Sequence, residues 1–154
     1  TEKVQFASEA CEKAGLSPYP VWVEPAVMPM GDELRLIGGK QAIHSHTQTA
    51  NIEDLMQITK DYDLTRVWMN ADTAARRGIA DGDYIRMFND RGTCTLRVRF
   101  NNGIRPGMVV IDHGWDLDQF VDGFYCDLLG YNVTPVVANS YYFDTLIEIE
   151  KATV

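Results

Sequence analysis

The stretch Thr93–Phe100 constrains the fold more than any other. Cys94, Leu96, Val98 and Phe100 alternate with Thr93, Thr95, Arg97 and Arg99. A two-residue period puts each set on one face of a β-strand, with the apolar set turned to a core. The turn Asn89–Gly92 precedes it, and Tyr84–Phe88 before that turn reads as its partner, introduced by the turn signal Asp81-Gly82-Asp83. Further strands are expected over Leu34–Ile37, Leu64–Met69, Met108–Ile111 and Leu146–Ile149. Asn70 is a ready N-cap for a brief helix, Ala71–Arg77, which Gly78 stops. About six strands, tight turns and one or two short helices specify a mainly β, closed barrel instead of an alternating βαβ array.

The 154 residues fit one domain. Residues 1–30 read as an extended strap with a short helix from Glu9 to Lys13, capped by Ser8 and ended at Gly15. Pro18, Pro20, Pro25 and Pro29 deny that stretch the backbone donors of a helix or central strand, so it should lie on the domain surface or on a missing neighbour. Residues 31–154 form the barrel domain. Within it the run Asp112–Asn139 is long for a loop, and Trp115, Phe120, Phe124, Tyr125 and Tyr131 favour an ordered one. The first residues are too polar for a signal peptide, and no apolar run approaches the ~18 residues of a membrane span. A net charge of −8 argues against nucleic-acid partners. A small anionic ligand needs only a few local donors and is not excluded by that charge.

Chemistry concentrates in two places. At the end of the first strand stand Gly38, Gly39, Lys40, Gln41, His44, Ser45, His46, Thr47, Gln48 and Thr49. Glycines allow backbone to approach a ligand, and the cation, imidazoles, hydroxyls and amides suit phosphate oxygens and the edge of a purine or pterin. At the end of the Met108 strand, Asp112-His113-Gly114-Trp115 opens the long loop, where strand-end side chains can face a ligand mouth. Asn132 near the loop's far end is suited to reading a heterocycle edge or to a turn before Pro135. The three cysteines, Cys11, Cys94 and Cys126, have no metal spacing. His44-x-His46 invites a metal reading in the manner of a cupin, with His113 as a third ligand, but the acid that motif wants four or five residues later is absent.

The order of these segments resembles the C-terminal molybdopterin-dinucleotide-binding domain of the dimethyl sulfoxide reductase family, which includes formate dehydrogenases and nitrate reductases. Pro18-Tyr19-Pro20-Val21-Trp22-Val23-Glu24-Pro25 looks like the family's strap, and Leu36–Thr49 like its strand, glycine and His-x-His-Thr segment. The run from Asn70 through Gly78-Ile79-Ala80-Asp81-Gly82-Asp83 is the most specific part. Arg91-Gly92, Arg105-Pro106-Gly107-Met108-Val109, His113-Gly114-Trp115 and Asn132-Val133-Thr134 follow in the family's order. Lys40 stands where the family usually has Arg, a point charge in place of a bidentate fork.

The resemblance implies a double-psi β-barrel holding molybdopterin guanine dinucleotide, one of two in a molybdenum or tungsten bis-pterin oxidoreductase. By carry-over, Gly39, Lys40, Gln41, His44, Ser45, His46, Thr47, Gln48 and Thr49 would contact the pterin and pyrophosphate, with Asp112, His113, Trp115 and Asn132 lining the same cofactor. It implies no catalytic side chain and no metal ligand in this chain. Any iron–sulfur cluster would lie elsewhere in the parent, which would work in the cytoplasm or periplasm of a prokaryote. The expected partners are the remaining domains of the parent catalytic subunit, together with an electron-transfer subunit. Two rival readings remain at this point: a stand-alone cupin-like barrel binding metal through His44 and His46, and a non-catalytic domain whose strap docks a partner.

Overall fold

A computed structural model describes residues 3–44, 46, 48–134, 138–142 and 144–154. The helix α1, Glu9–Lys13, starts where the Ser8 hydroxyl accepts from the Cys11 amide, and the chain turns at Gly15 with φ of 76°. The barrel begins at β1, Leu34–Lys40, followed by the helix α2, Glu53–Asp61, the strand β2, Arg66–Met69, and the helix α3, Ala71–Ala75. Then come β3, Tyr84–Phe88, β4, Thr93–Phe100, and β5, Met108–His113. The long loop carries 3-10 turns at Leu117–Gln119 and Tyr125–Leu128 and the short strands β6, Asp122–Gly123, and β7, Asn132–Val133. Two final strands follow, β8, Ser140–Tyr141, and β9, Thr145–Ala152.

Six strands close in the order β2-β5-β1-β9-β3-β4, with β4 returning to β2. β1 runs parallel to β5, and β2 parallel to β4; the other barrel pairings are antiparallel. Two parallel pairs interlocked within one closed ring make a double-psi β-barrel. Closure leaves the six strands without a free edge. In β4 Arg97 and Arg99 face out as expected, Thr95 is buried instead of exposed where β6 pairs beside it, and Cys94, Leu96 and Val98 are buried as expected. They meet Leu34, Leu36, Val67, Ile85, Ile111 and Ile147 in one core, each such side chain stabilising by about 1.5–3 kcal/mol on burial. Burial also pushes the Cys94 thiol up to about 12, which makes it an inert core residue.

Outside the barrel, Asp81 accepts from the Phe100 amide at 2.7 Å and pairs with Arg99, which also pairs with Asp63. The Asp81-Gly82-Asp83 turn is therefore a clasp as well as a bend, since Asp83 pairs with Lys151 on β9 at 2.7 Å. Asn70 caps α3 through Asp72 N and donates to Ile104 O at 3.1 Å, tying β2 to the β4–β5 connection. Near its end the strap is pinned where Arg35 donates to Val27 O, and just beyond it Arg77 donates to Asp32 O. Upstream of that, Val4, Phe6, Trp22 and Val23 are 74–82% exposed.

Two elements differ from the sequence expectation. β1 extends through Gly38, Gly39 and Lys40, in register with Ile111, Asp112 and His113 on β5. The glycines are strand residues with neighbouring side chains laid across them. A Cβ on Gly38 would collide with the His113 ring, and one on Gly39 would sit 2.7 Å from Asp112 Oδ1. The helix α2 lies in a stretch where the sequence pattern predicts no element. Its N-cap is Ile52, which makes no side-chain capping bond, so the usual start signal is missing. α2 is held by its buried Thr59, whose hydroxyl meets Nε2 of His44. His44 is fully buried, with Nδ1 3.1 Å from Thr49 Oγ1.

Replacing Asn70 (Asn70→Ala) removes a cap and a loop tether and should cost about 2 kcal/mol in urea denaturation; a loss below about 0.5 kcal/mol would mean the corner is held otherwise. Burial lowers the pKa of His44, so acid protonates the unfolded imidazole before the folded one. The His44 contribution is therefore complete above about pH 6.5 and lost as pH falls below it. Between pH 7.5 and 5.5 the stability drop should be smaller in His44→Gln than in the unaltered chain, measured by denaturant titration at both pH values. Equal drops would refute it.

Candidate functional site

The parallel ends of β1 and β5 place Gly39 beside Asp112 and Lys40 beside His113. Beyond them the chain leaves the barrel on both sides, and the two loops meet at Gly114. Its φ is 111°, and a Cβ there would lie 3.0 Å from His44 O, so only glycine lets the segments touch. The Trp115 ring then packs on the His44 ring, with centroids 4.9 Å apart. The 3-10 turn at Tyr125–Leu128 packs the long loop against β4, and from it Tyr125 reaches His113 at the end of β5. Between them lies a cavity of about 340 Å³ lined by His46, His113, Trp115, Phe124, Tyr125 and Tyr142, with Asp112 at its wall.

The walls are chiefly aromatic, but polar atoms face one another among them. His113 Nε2 lies 3.3 Å from the Tyr125 hydroxyl, and the Tyr125 and Tyr142 rings each stand 5.8 Å from the imidazole. Burial lowers the His113 pKa, Lys40 and His46 lower it further, and Asp112 opposes them. The ring is neutral at neutral pH, with one donor and one acceptor nitrogen. Burial raises the Tyr125 pKa, which keeps it a phenol. Trp115 is 3% exposed, and its indole N–H has no partner among the described residues. At the rim, Lys40 Nζ is 3.0 Å from His46 Nε2, and His46 holds a left-handed φ of 62°. Non-glycine residues hold such a backbone where surrounding contacts over-determine it, often at ligand sites.

The structure gathers some of the expected residues and disperses others. His46, Asp112, His113 and Trp115 line the cavity, with Gly39 and Lys40 on the strand beneath. Gln41 turns toward β2, donating to Leu64 O at 2.9 Å and Asp112 Oδ2 at 3.1 Å. His44 and Thr49 bond to each other, in the service of the loop. Gln48 is exposed, with its amide on His46 O. Asn132 is exposed on β7, paired with Tyr141 one residue from the cavity wall. Ser45 and Thr47 lie outside the described residues, as does Pro135. Tyr142, on the cavity wall, and Arg66, beside Gln41, are not singled out by the sequence. The density of aromatics from Trp115 to Tyr142 is the one signal pointing to the wall.

The cupin-type alternative finds no support. Both His44 ring nitrogens are engaged by threonine hydroxyls, so neither is left for an ion. Among the described residues no group of three or more His, Cys, Asp or Glu side chains is placed to hold a metal. A pterin dinucleotide fits the donor set better. It has a planar heterocycle for the aromatic walls, acceptors for the buried Trp115 N–H and the Tyr125 hydroxyl, and phosphates for the Lys40 and His46 rim.

Comparison with known proteins agrees with this fit. The dimethyl sulfoxide/trimethylamine N-oxide reductase of Cereibacter sphaeroides is 30% identical over 122 residues, 73% of this chain and 14% of that protein. The putative dimethyl sulfoxide reductase catalytic subunit of Halobacterium salinarum is 37% identical over 107 residues, 70% of this chain and 12% of that protein. The chain thus spans a small part, 12–14%, of these two relatives. Acetylene hydratase from Pelobacter acetylenicus shares the fold, with a TM-score of 0.74 and 18% identity over 97% of this chain and 23% of its own. A family model described as the molydopterin dinucleotide binding domain matches residues 34–142. The chain belongs to the molydopterin dinucleotide binding domain family.

Proposed function

We propose that this chain is the cofactor-holding domain of a larger molybdenum or tungsten oxidoreductase, and that it grips one of two pterin guanine dinucleotides in the cavity between β1, β5 and the long loop. The observation that carries this reading is the Trp115 indole N–H, buried without a partner among the described residues, on a residue that lines the same cavity as the neutral His113. Leaving such a donor unpaired costs about 1–3 kcal/mol. A bound acceptor would remove that cost.

The cofactor, when bound, supplies the redox chemistry through its metal. The chain's own residues hold and orient it. Trp115, Tyr125 and Tyr142 exclude water and offer aromatic faces to a heterocycle. His113 and the Tyr125 hydroxyl give directional hydrogen bonds, and their shifted pKa values keep both uncharged in a low-dielectric wall. Lys40 puts a local positive charge at the rim of an otherwise acidic protein, with His46 Nε2 3.0 Å from its Nζ, where a pyrophosphate would lie. Gly38 and Gly39 matter indirectly: they leave room for His113 and Asp112 to lie flat across β1.

The exposed strap fits the same reading. Phe6, Trp22 and Val23 leave a large apolar surface bare, and the partner to cover it is the rest of the parent polypeptide. An electron-transfer subunit would contact the parent outside this chain.

The test is a titration of the labelled chain with pterin guanine dinucleotide extracted from a molybdoenzyme, followed by NMR. The Trp115 indole N–H signal should move first. No movement at millimolar ligand would overturn the proposal. Trp115→Phe should weaken binding about tenfold through loss of one hydrogen bond. Gly38→Ala, which displaces the His113 ring, should weaken it at least as much, measured by the same titration. Unchanged affinity in both variants would place the ligand elsewhere.

A further inference from the structure

The Asn89–Gly92 turn between β3 and β4 lines no part of the aromatic cavity, yet it holds the segments that make the cavity wall. Asn89 is half-buried, and its side-chain amide uses both donors and both acceptor positions. Nδ2 donates to Leu128 O at 2.8 Å and to Leu146 O at 3.2 Å, while Oδ1 accepts from the amides of Arg91 at 2.9 Å and Gly92 at 3.2 Å. Asn89 N also donates to Gly92 O at 3.1 Å, which closes the turn on itself. Turning the side-chain amide over would set its oxygen against two carbonyls, so its orientation is fixed.

Those two carbonyls belong to the segments that carry the tyrosines facing His113. Leu128, fully buried, ends the 3-10 turn that begins at Tyr125. Leu146 follows Thr145, whose hydroxyl donates to Tyr142 O at 2.7 Å. Each tyrosine is thus a few residues from a carbonyl held by the same amide group, and each ring centroid stands 5.8 Å from the imidazole. Glycine permits the close approach. A Cβ on Gly92 would stand 2.7 Å from Asp127 Cβ and 2.9 Å from Asp127 O. On the other side of Tyr125, Phe124 N donates to Thr93 O at 3.1 Å, and a Cβ on Gly123 would run into that same carbonyl. The β3–β4 corner therefore fastens the chain before and after Tyr125, and reaches Tyr142 through the start of β9.

We propose that Asn89 is a positioning residue: its one side-chain amide sets where Tyr125 and Tyr142 stand against His113, and with that the slot the aromatic cavity offers a planar ring. Asn89 itself touches no ligand. That the slot serves a ligand rests on the proposed function; the placing of the two rings does not.

Asn89→Asp tests this, because the carboxylate keeps an acceptor for the Arg91 and Gly92 amides and loses both donors. NMR of the isotope-labelled chain without ligand reads the NOE cross-peaks from the His113 ring to the Tyr125 and Tyr142 rings. Both should be present in the unaltered chain and lost in Asn89→Asp, with the amide signals of β2 and β5 unchanged. Asn70→Ala, which loosens a different corner, should keep both. Affinity for the extracted pterin guanine dinucleotide should fall about tenfold in Asn89→Asp and stay near that of the unaltered chain in Asn70→Ala. Cross-peaks that persist in Asn89→Asp overturn the proposal, and so do cross-peaks lost equally in Asn70→Ala, which would make Asn89 a general stabiliser. Lost cross-peaks with unchanged affinity overturn its role in binding. Silence of the unaltered chain toward the dinucleotide overturns the proposed function and leaves the cross-peaks to decide the placing of the rings. Should Asn89→Asp fail to fold, the unaltered chain decides. The Asn89 side-chain amide protons should then exchange with solvent about tenfold more slowly than those of the exposed Gln48, and equal rates overturn the proposal.

Discussion

The parallel pairing of β1 with β5 is the constraint on which the rest of this protein depends. It carries the chain past the core to Gly39 beside Asp112 and Lys40 beside His113. Because two successive residues of β1 lack side chains, those of β5 occupy their space. One closed barrel thus ends in a surface from which an imidazole and a carboxylate project at fixed positions. The long loop, β2 and α2 are arranged around that surface, and Asp112 forms a wall of each of two cavities.

Burial acts differently on the two flanks. On the aromatic side it leaves His113 and Tyr125 uncharged, so they act as directional hydrogen-bonding groups. On the β2 side it lowers the Arg66 pKa, opposed by Asp63 and Asp112, and arginine nevertheless stays charged. An uncharged, largely aromatic wall on one flank of Asp112 and a charged guanidinium on the other follow from the same β1–β5 pairing. The acidic total of the protein does not oppose the proposed binding of a phosphorylated ligand, because charges more than about a Debye length away are screened.

Much of the fold was legible because its signals are local. Thr93–Phe100 is the strand its alternating residues predict, with Thr95 buried as the exception, Asn70 caps the helix expected of it, and Gly15 and Gly78 take the left-handed backbone that stops a helix. α2 was not legible. It has no capping side chain, and its stabilising contact is Thr59 to His44, a bond that exists only after folding. His44 shows the same limit from the other side. Its neighbours in sequence are rich in donors and lead to the expectation of a ligand loop, yet its ring is spent on two threonines.

The sequence by itself determined a closed β-barrel, the family and the two segments on which the proposed site draws, since periodicity, caps and motif order are written along the chain. Tertiary structure alone decided which members of those segments converge. It brought Tyr142 to His113 and Arg66 to Gln41, and it assigned Gly38 and Gly39 to the packing of β5 side chains. The physical reason is that a cavity is made by residues distant in sequence, and no local pattern records which buried donor will be left without a partner.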